Sequence, residues 1–155
     1  MTGESTRVVA DADVLAADLL VGGDARAALD HVRRHDWVTL VASVPLLDDA
    51  EAVIADLADD SLAADWRERV TTACHCVEHP PDDHPGLAAA YRGEATHLLS
   101  YDDTLRSART GLSIQPHADL SVRPPDAFAR LFDPAAVYEA THDGDYPGPD
   151  SDPRA

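Results

Sequence analysis

Apolar residues along the chain fall into short unbroken runs, separated by longer stretches where they recur every three or four positions. "RVVA" (7–10) is β-branched and stops at Asp11, which predicts a first strand. Residues 13–21 read as a helix broken by Gly22-Gly23, and Asp24 caps a second helix that runs to about His35. "WVTLVA" (37–42) is a second buried strand. Ser43 then opens a long helix in which Leu46, Leu47, Ala50, Val53, Ile54 and Leu57 keep the helical period. Asp59-Asp60 interrupts it, and "LAADWRERVTTA" resumes with Trp66 and Val70 facing inward. "CHCV" (74–77) predicts a third strand, "PPDDHP" a turn, residues 84–93 a helix and "THLLS" a fourth strand. "DTLRSA" reads as a short helix, "LSIQP" as an edge strand and "PPDAFARLF" (124–132) as the closing helix, with prolines suited to its first turn.

Strands alternating with helices predict a three-layer α/β domain with a mainly parallel central sheet flanked by helices. Residues 1–6 are a short N-terminal extension and 7–134 the domain. Residues 135–155 form an acidic tail without an apolar period, expected to be disordered. In such sheets, ligands gather beyond the carboxyl ends of the strands, near a reversal of strand order. Asp11 leaves the first strand and Asp102 follows the fourth. If those strands are neighbours, the two carboxylates converge.

Composition changes how this pattern is read. The chain has 155 residues and carries 29 acids against 12 bases; every base is Arg, and Asp outnumbers Glu 23 to 6. This composition resembles that of proteins from salt-accumulating haloarchaea, whose acid-heavy surfaces stay soluble in concentrated salt. At molar salt the Debye length is about 3 Å, so a net charge of −17 does not exclude an RNA substrate. No apolar run approaches a membrane span, and the N-terminus lacks the basic start and apolar stretch of a signal peptide. With only Cys74 and Cys76, a reduced cytoplasmic setting is expected.

Four acids are positioned to share a site. Asp11 follows strand one, Asp49 lies in the helix after strand two, Asp83 precedes the helix before strand four, and Asp102 follows that strand. Clustered carboxylates need a compensating charge, and a hard divalent cation such as Mg²⁺ or Mn²⁺ is the usual one. Taken singly, any of these acids in so Asp-rich a chain reads as a cap or a surface group.

Four segments, in order, resemble the PIN-domain ribonucleases, and the likeness is to the toxin-like branch of that family. "VVADADVLAADLL" resembles the family's opening strand, Asp and aliphatic run, with Asp13 where Asn is usual. "SVPLLDDAEAVI" resembles the second segment, in a register that sets Asp49 on the family's Glu and leaves Asp48 as the fallback. "DHPGLAAAYRGEATHLLSYDD" resembles the third, with Asp83 and Asp102 separated by 19 and Ser100 in place of Thr. "SVRPPDAFARLF" resembles the family's tail of strand, Pro and closing helix. The resemblance covers about residues 7–132.

The resemblance implies a Mg²⁺- or Mn²⁺-dependent endoribonuclease in which Asp11, Asp49, Asp83 and Asp102 bind metal. Ser100 would orient Asp11 or a water. Asp13, Asp48 and Asp103 are candidate supporting acids, although Asp13 and Asp103 read equally well as first-turn helix acids. Arg106 and Arg109 are candidate phosphate contacts. The resemblance also implies a homodimer and, for the toxin branch, an antitoxin protein as partner. Asp at position 49 shortens the reach to metal, which leaves room for a catalytically silent module that binds a protein or RNA partner.

"CHCVEHPPDDH" raises a zinc alternative through Cys74, His75, Cys76 and His79. Cys-x-Cys lacks the usual two-to-four-residue spacing, so the pair reads instead as buried structural cysteines.

Overall fold

The computed structural model describes residues 6–79, 84–102, 120–150 and 152–153. Five strands, β1 Thr6–Ala10, β2 Val38–Ala42, β3 His75–Cys76, β4 His97–Leu99 and β5 Ser121–Arg123, form one sheet in the order β3-β2-β1-β4-β5. Every pairing is parallel. The helices among the described residues are α1 Ala12–Leu20, α2 Gly23–Arg33, α3 Val44–Leu57, α4 Asp60–Ala73, α5 Pro85–Arg92, α6 Pro125–Leu131 and α7 Pro134–Thr141. The architecture is the three-layer α/β fold that the alternation predicts.

Side chains alternate across a strand, so the register assigns each helix to a face. Val8 pairs with His97, while Val9 pairs with both Leu98 and Val41. The His97 ring meets Phe128 and Phe132, and His31 of α2 meets the same two rings. Helices α2 and α6 therefore cover the Val8 face. The opposite face belongs to α5, whose C-cap is Gly93. A Cβ there would lie 2.5 Å from Val41 Cγ1, so only glycine permits this approach. Val8, Val9, Leu98 and Leu99 are fully buried, each contributing about 1.5–3 kcal/mol.

Several local readings hold. Ser43 is the N-cap of α3, accepting from the Leu46 N–H at 3.3 Å. Asp59 caps α4, and Trp66 and Val70 face inward. Other readings are corrected. The second helix is capped at Gly22, whose φ of +84° suits glycine, and Asp24 sits in the first turn instead. The cysteines are not buried: β3 is a two-residue edge strand, leaving Cys76 exposed and Cys74 half-buried. The last described strand is Ser121–Arg123, within the tail segment that resembles the family; "LSIQP" and "DTLRSA" lie outside the described residues.

The segment 135–155 also departs from its reading over its described part. Most of α7 lies in it, and the chain beyond folds back over the α2–β2 junction. Tyr138 stacks on His142 at 4.2 Å, and both rings pack edge-on against Trp37. His35 Nδ1 donates to the His31 carbonyl at 2.7 Å, and Nε2 accepts the Tyr146 hydroxyl at 2.5 Å. Asp150 accepts from the Asp36 N–H at 2.7 Å. Three aromatic rings, rather than an aliphatic stripe, anchor this segment.

Candidate functional site

The strand order reverses at the centre of the sheet. From β1 the chain builds outward through β2 to β3, and β4 and β5 then fill the other side. The crevice beyond β1 and β4 is thus the switch point at which α/β sheets bind ligands.

Asp11 sits there. Its N–H extends the ladder by donating to the Leu99 carbonyl at 2.8 Å, and its Oδ1 caps α1 through the Ala12 N–H at 2.9 Å. Ser100 follows β4. Its hydroxyl donates to Asp11 Oδ2 at 2.9 Å and accepts from the Asp102 N–H at 3.1 Å. Ser100 is 0% and Asp11 8% exposed, so the carboxylate is fixed by two donors in a mostly dry setting. Asp102 is exposed at the rim.

Asp13 lies beside this pair, accepting from the Tyr101 N–H at 3.3 Å. Its side chain reaches the surface, yet the protein around it removes enough water to raise its carboxyl above the usual value. The charge of Asp11 adds to that rise, with a smaller push from Asp102. Asp13 therefore feels the negative charge of both neighbouring acids.

Helix α5 brings a residue that sequence reasoning missed. His84 is the N-cap of α5 and its Nδ1 accepts from the Gly86 N–H at 3.1 Å. The ring proton then sits on Nε2, 3.8 Å from Asp11 Oδ2, which is beyond hydrogen-bond reach. The signal for it was legible: "HPG" puts Pro at the first helical position and so His84 at the cap. A Cβ on Gly86 would lie 3.1 Å from Asp11 Oδ1, so glycine keeps the space over the carboxylate open. At the end of β2, Ser43 Oγ lies 2.8 Å from His79 Nε2.

The α3 acids behave differently. Asp48 pairs with Arg67 at 2.7 Å, and Arg67 also reaches Glu51 at 3.0 Å. Asp49 is exposed, and its side chain makes no hydrogen bond to another described residue. Asp83, Asp103, Arg106 and Arg109 lie outside the described residues.

The oxygen donors around Asp11 suit a hard divalent ion in kind. Among the described residues, no three His, Cys, Asp or Glu side chains stand close enough together to hold a metal ion. A metal ion at Asp11 would therefore draw its further donors from water, a substrate or other residues of the chain. The zinc alternative is no better assembled, since His79 turns to Ser43. A groove of about 550 Å³ lies away from Asp11 and Ser100, walled by Leu29, Val32, Trp66 and Val70 together with Asp18 and Asp36. No helix among the described residues is long and apolar enough to cross a membrane.

No curated protein and no solved structure matches the chain. A family's sequence pattern does match, over residues 2–154, and the protein belongs to DUF7384, a family of unknown function.

Proposed function

We propose that the protein is a PIN-like, divalent-metal-dependent endoribonuclease whose centre is Asp11. The observation that carries this reading is the Ser100–Asp11 hydrogen bond at the strand-order switch, with Asp13 and Asp102 beside it. Mg²⁺ or Mn²⁺, when bound, would neutralise the phosphodiester and lower the pKa of a bound water. Asp11 would be its principal ligand, joined by Asp102, with Asp49 and Asp83 as the further acids that the resemblance suggests.

The chain's own groups supply the rest. Ser100 holds Asp11 Oδ2 and thereby fixes the direction of the carboxylate. Gly86 keeps its open side free, and His84 offers an N–H at the mouth. Asp13, less acidic than a free carboxyl, adds negative potential that favours a cation. Hydrolysis by water leaves 5′-phosphate and 3′-hydroxyl ends. The test is cleavage of single-stranded RNA with Mn²⁺ in high salt: wild type should cut, and Asp11→Asn should lose at least ~100-fold in rate. Wild-type cleavage by the variant overturns the mechanism.

The reading extends to a toxin restrained by an antitoxin protein. Expression should then arrest growth, and Asp102→Asn should relieve the arrest. A second reading, a silent module binding a protein or RNA partner, is favoured by the Asp48–Arg67 ion pair, which turns one α3 acid to another task. Absence of cleavage with every divalent ion, in a folded wild type, selects that module.

A further inference from the structure

We propose that Cys74 and Cys76 form a redox-active dithiol, a modification site in which oxidation to a Cys74–Cys76 disulfide releases the edge strand β3. The two sulfurs lie 3.7 Å apart in hydrogen-bond contact. Their surroundings differ: Cys76 is exposed, whereas Cys74 is half-buried at the C-cap of α4, its N–H bonded to the Val70 carbonyl at 3.0 Å. Burial first, and the neighbouring Cys76 second, push the Cys74 thiol up to about 12. Cys74 therefore holds its proton, while Cys76 is the sulfur that solvent and a reagent reach. An exposed sulfur in contact with a half-buried, protonated one is the arrangement of an attacking and a resolving cysteine.

The reaction balances with a low-molecular-weight disulfide as oxidant. The Cys76 thiolate attacks one sulfur of that disulfide, forming a mixed disulfide and releasing one thiol. Cys74 gives its proton to solvent and attacks Cys76 Sγ, releasing the second thiol. Two protein thiols lose two electrons, and one small disulfide gains them.

The consequence follows from the position of β3. Residues two apart on a strand sit near the upper limit of Cα separation for a disulfide, so closing the bond shortens the chain at His75. His75 and Cys76 are the whole of β3, pairing with Val41 and Ala42 of β2, and the Val77 N–H donates to the Ala42 carbonyl at 2.9 Å. Three residues past Cys76, His79 contacts Ser43, the cap of α3. Shortening at His75 pulls on this whole run.

Intact-mass spectrometry of the full chain in high-salt buffer, after exposure to oxidised glutathione, tests the proposal. Wild type should end lighter by two hydrogens and carry no glutathione. Cys74→Ser should stop at the Cys76–glutathione mixed disulfide, and Cys76→Ser should react at least ~10-fold more slowly. Amide exchange at Val77 should speed up in the oxidised wild type and recover with dithiothreitol. Retention of glutathione by wild type, or equal rates for the two variants, overturns the dithiol; unchanged Val77 exchange in the disulfide form overturns the release of β3.

Discussion

Two pairs of carboxylates separate the meaningful acids of this chain from the rest. Asp48 and Asp49 sit side by side on α3, exposed, one of them paired with Arg67 across to α4. Asp11 and Asp102 are far apart in sequence, yet the Asp11 carboxylate accepts from the Ser100 hydroxyl and the Asp102 backbone N–H donates to that same hydroxyl, at the centre of the sheet. The first pair meets water and, at Asp48, a guanidinium shared with Glu51, an arrangement worth about 0–1 kcal/mol. The second places a buried carboxylate where it cannot turn away. Burial and fixed donors, rather than the presence of Asp, distinguish a site in a chain with 23 of them.

The largest expected effect sharpens this contrast with salt. Exposed acids such as Asp49 repel one another in dilute buffer, and screening relieves them. The protein should lose its circular-dichroism signature without salt and regain it as monovalent salt rises towards molar levels. Millimolar Mn²⁺ acts locally, so its rescue of folding should shrink in Asp102→Asn. Full folding in salt-free, metal-free buffer contradicts the halophilic reading.

Next comes the hydroxyl itself. Ser100→Ala removes a donor from a buried carboxylate and should cost about 1–3 kcal/mol in urea unfolding. Asp48→Asn, losing only a surface ion pair, should stay within ~1 kcal/mol. Equal losses would erase the distinction between the two regions.

Much of this was legible in the sequence because it is local. A β-branched run ending in Asp, a Ser before a long amphipathic helix and the inward Trp66 and Val70 all follow from short-range pattern. The neighbouring of β1 and β4 was needed only as a condition, and parallel pairing met it. What escaped is long-range. Tyr146 reaches His35 across 111 residues through a single hydroxyl, which no hydropathy period records. His84 gains its importance from Asp11, a residue on a different element. The exposure of Cys76 depends on β3 being only two residues long, and nothing in "CHCV" sets that length.

The base of β4 offers a contrast with its top. His97 lies against Phe128 and Phe132, and burial, with a contribution from Arg123, lowers its pKa to about 4. A histidine depressed in the fold adds stability above its unfolded value near 6.5, and that stability is lost as pH falls towards 4. Thermal unfolding should show this loss between those limits, and His97→Phe should flatten it. An unchanged profile in the variant would assign the acid sensitivity to other groups. The smallest effect concerns the C-terminal strap. Tyr146→Phe removes one hydrogen bond to His35 and should cost about 1 kcal/mol, read as a lower urea midpoint. No change would mean that stacking alone holds the segment.

The central claim is that Asp11 is the principal anchor of the proposed divalent cation and that Asp48, paired with Arg67, is not. A thermal-stability titration with Mn²⁺ in high salt tests it without requiring an RNA substrate. A metal that binds only the folded state raises the melting temperature once its concentration exceeds Kd. The account predicts a rise in wild type and in Asp48→Asn, and none in Asp11→Asn. A flat wild-type titration, or an equal rise in Asp11→Asn, would contradict it.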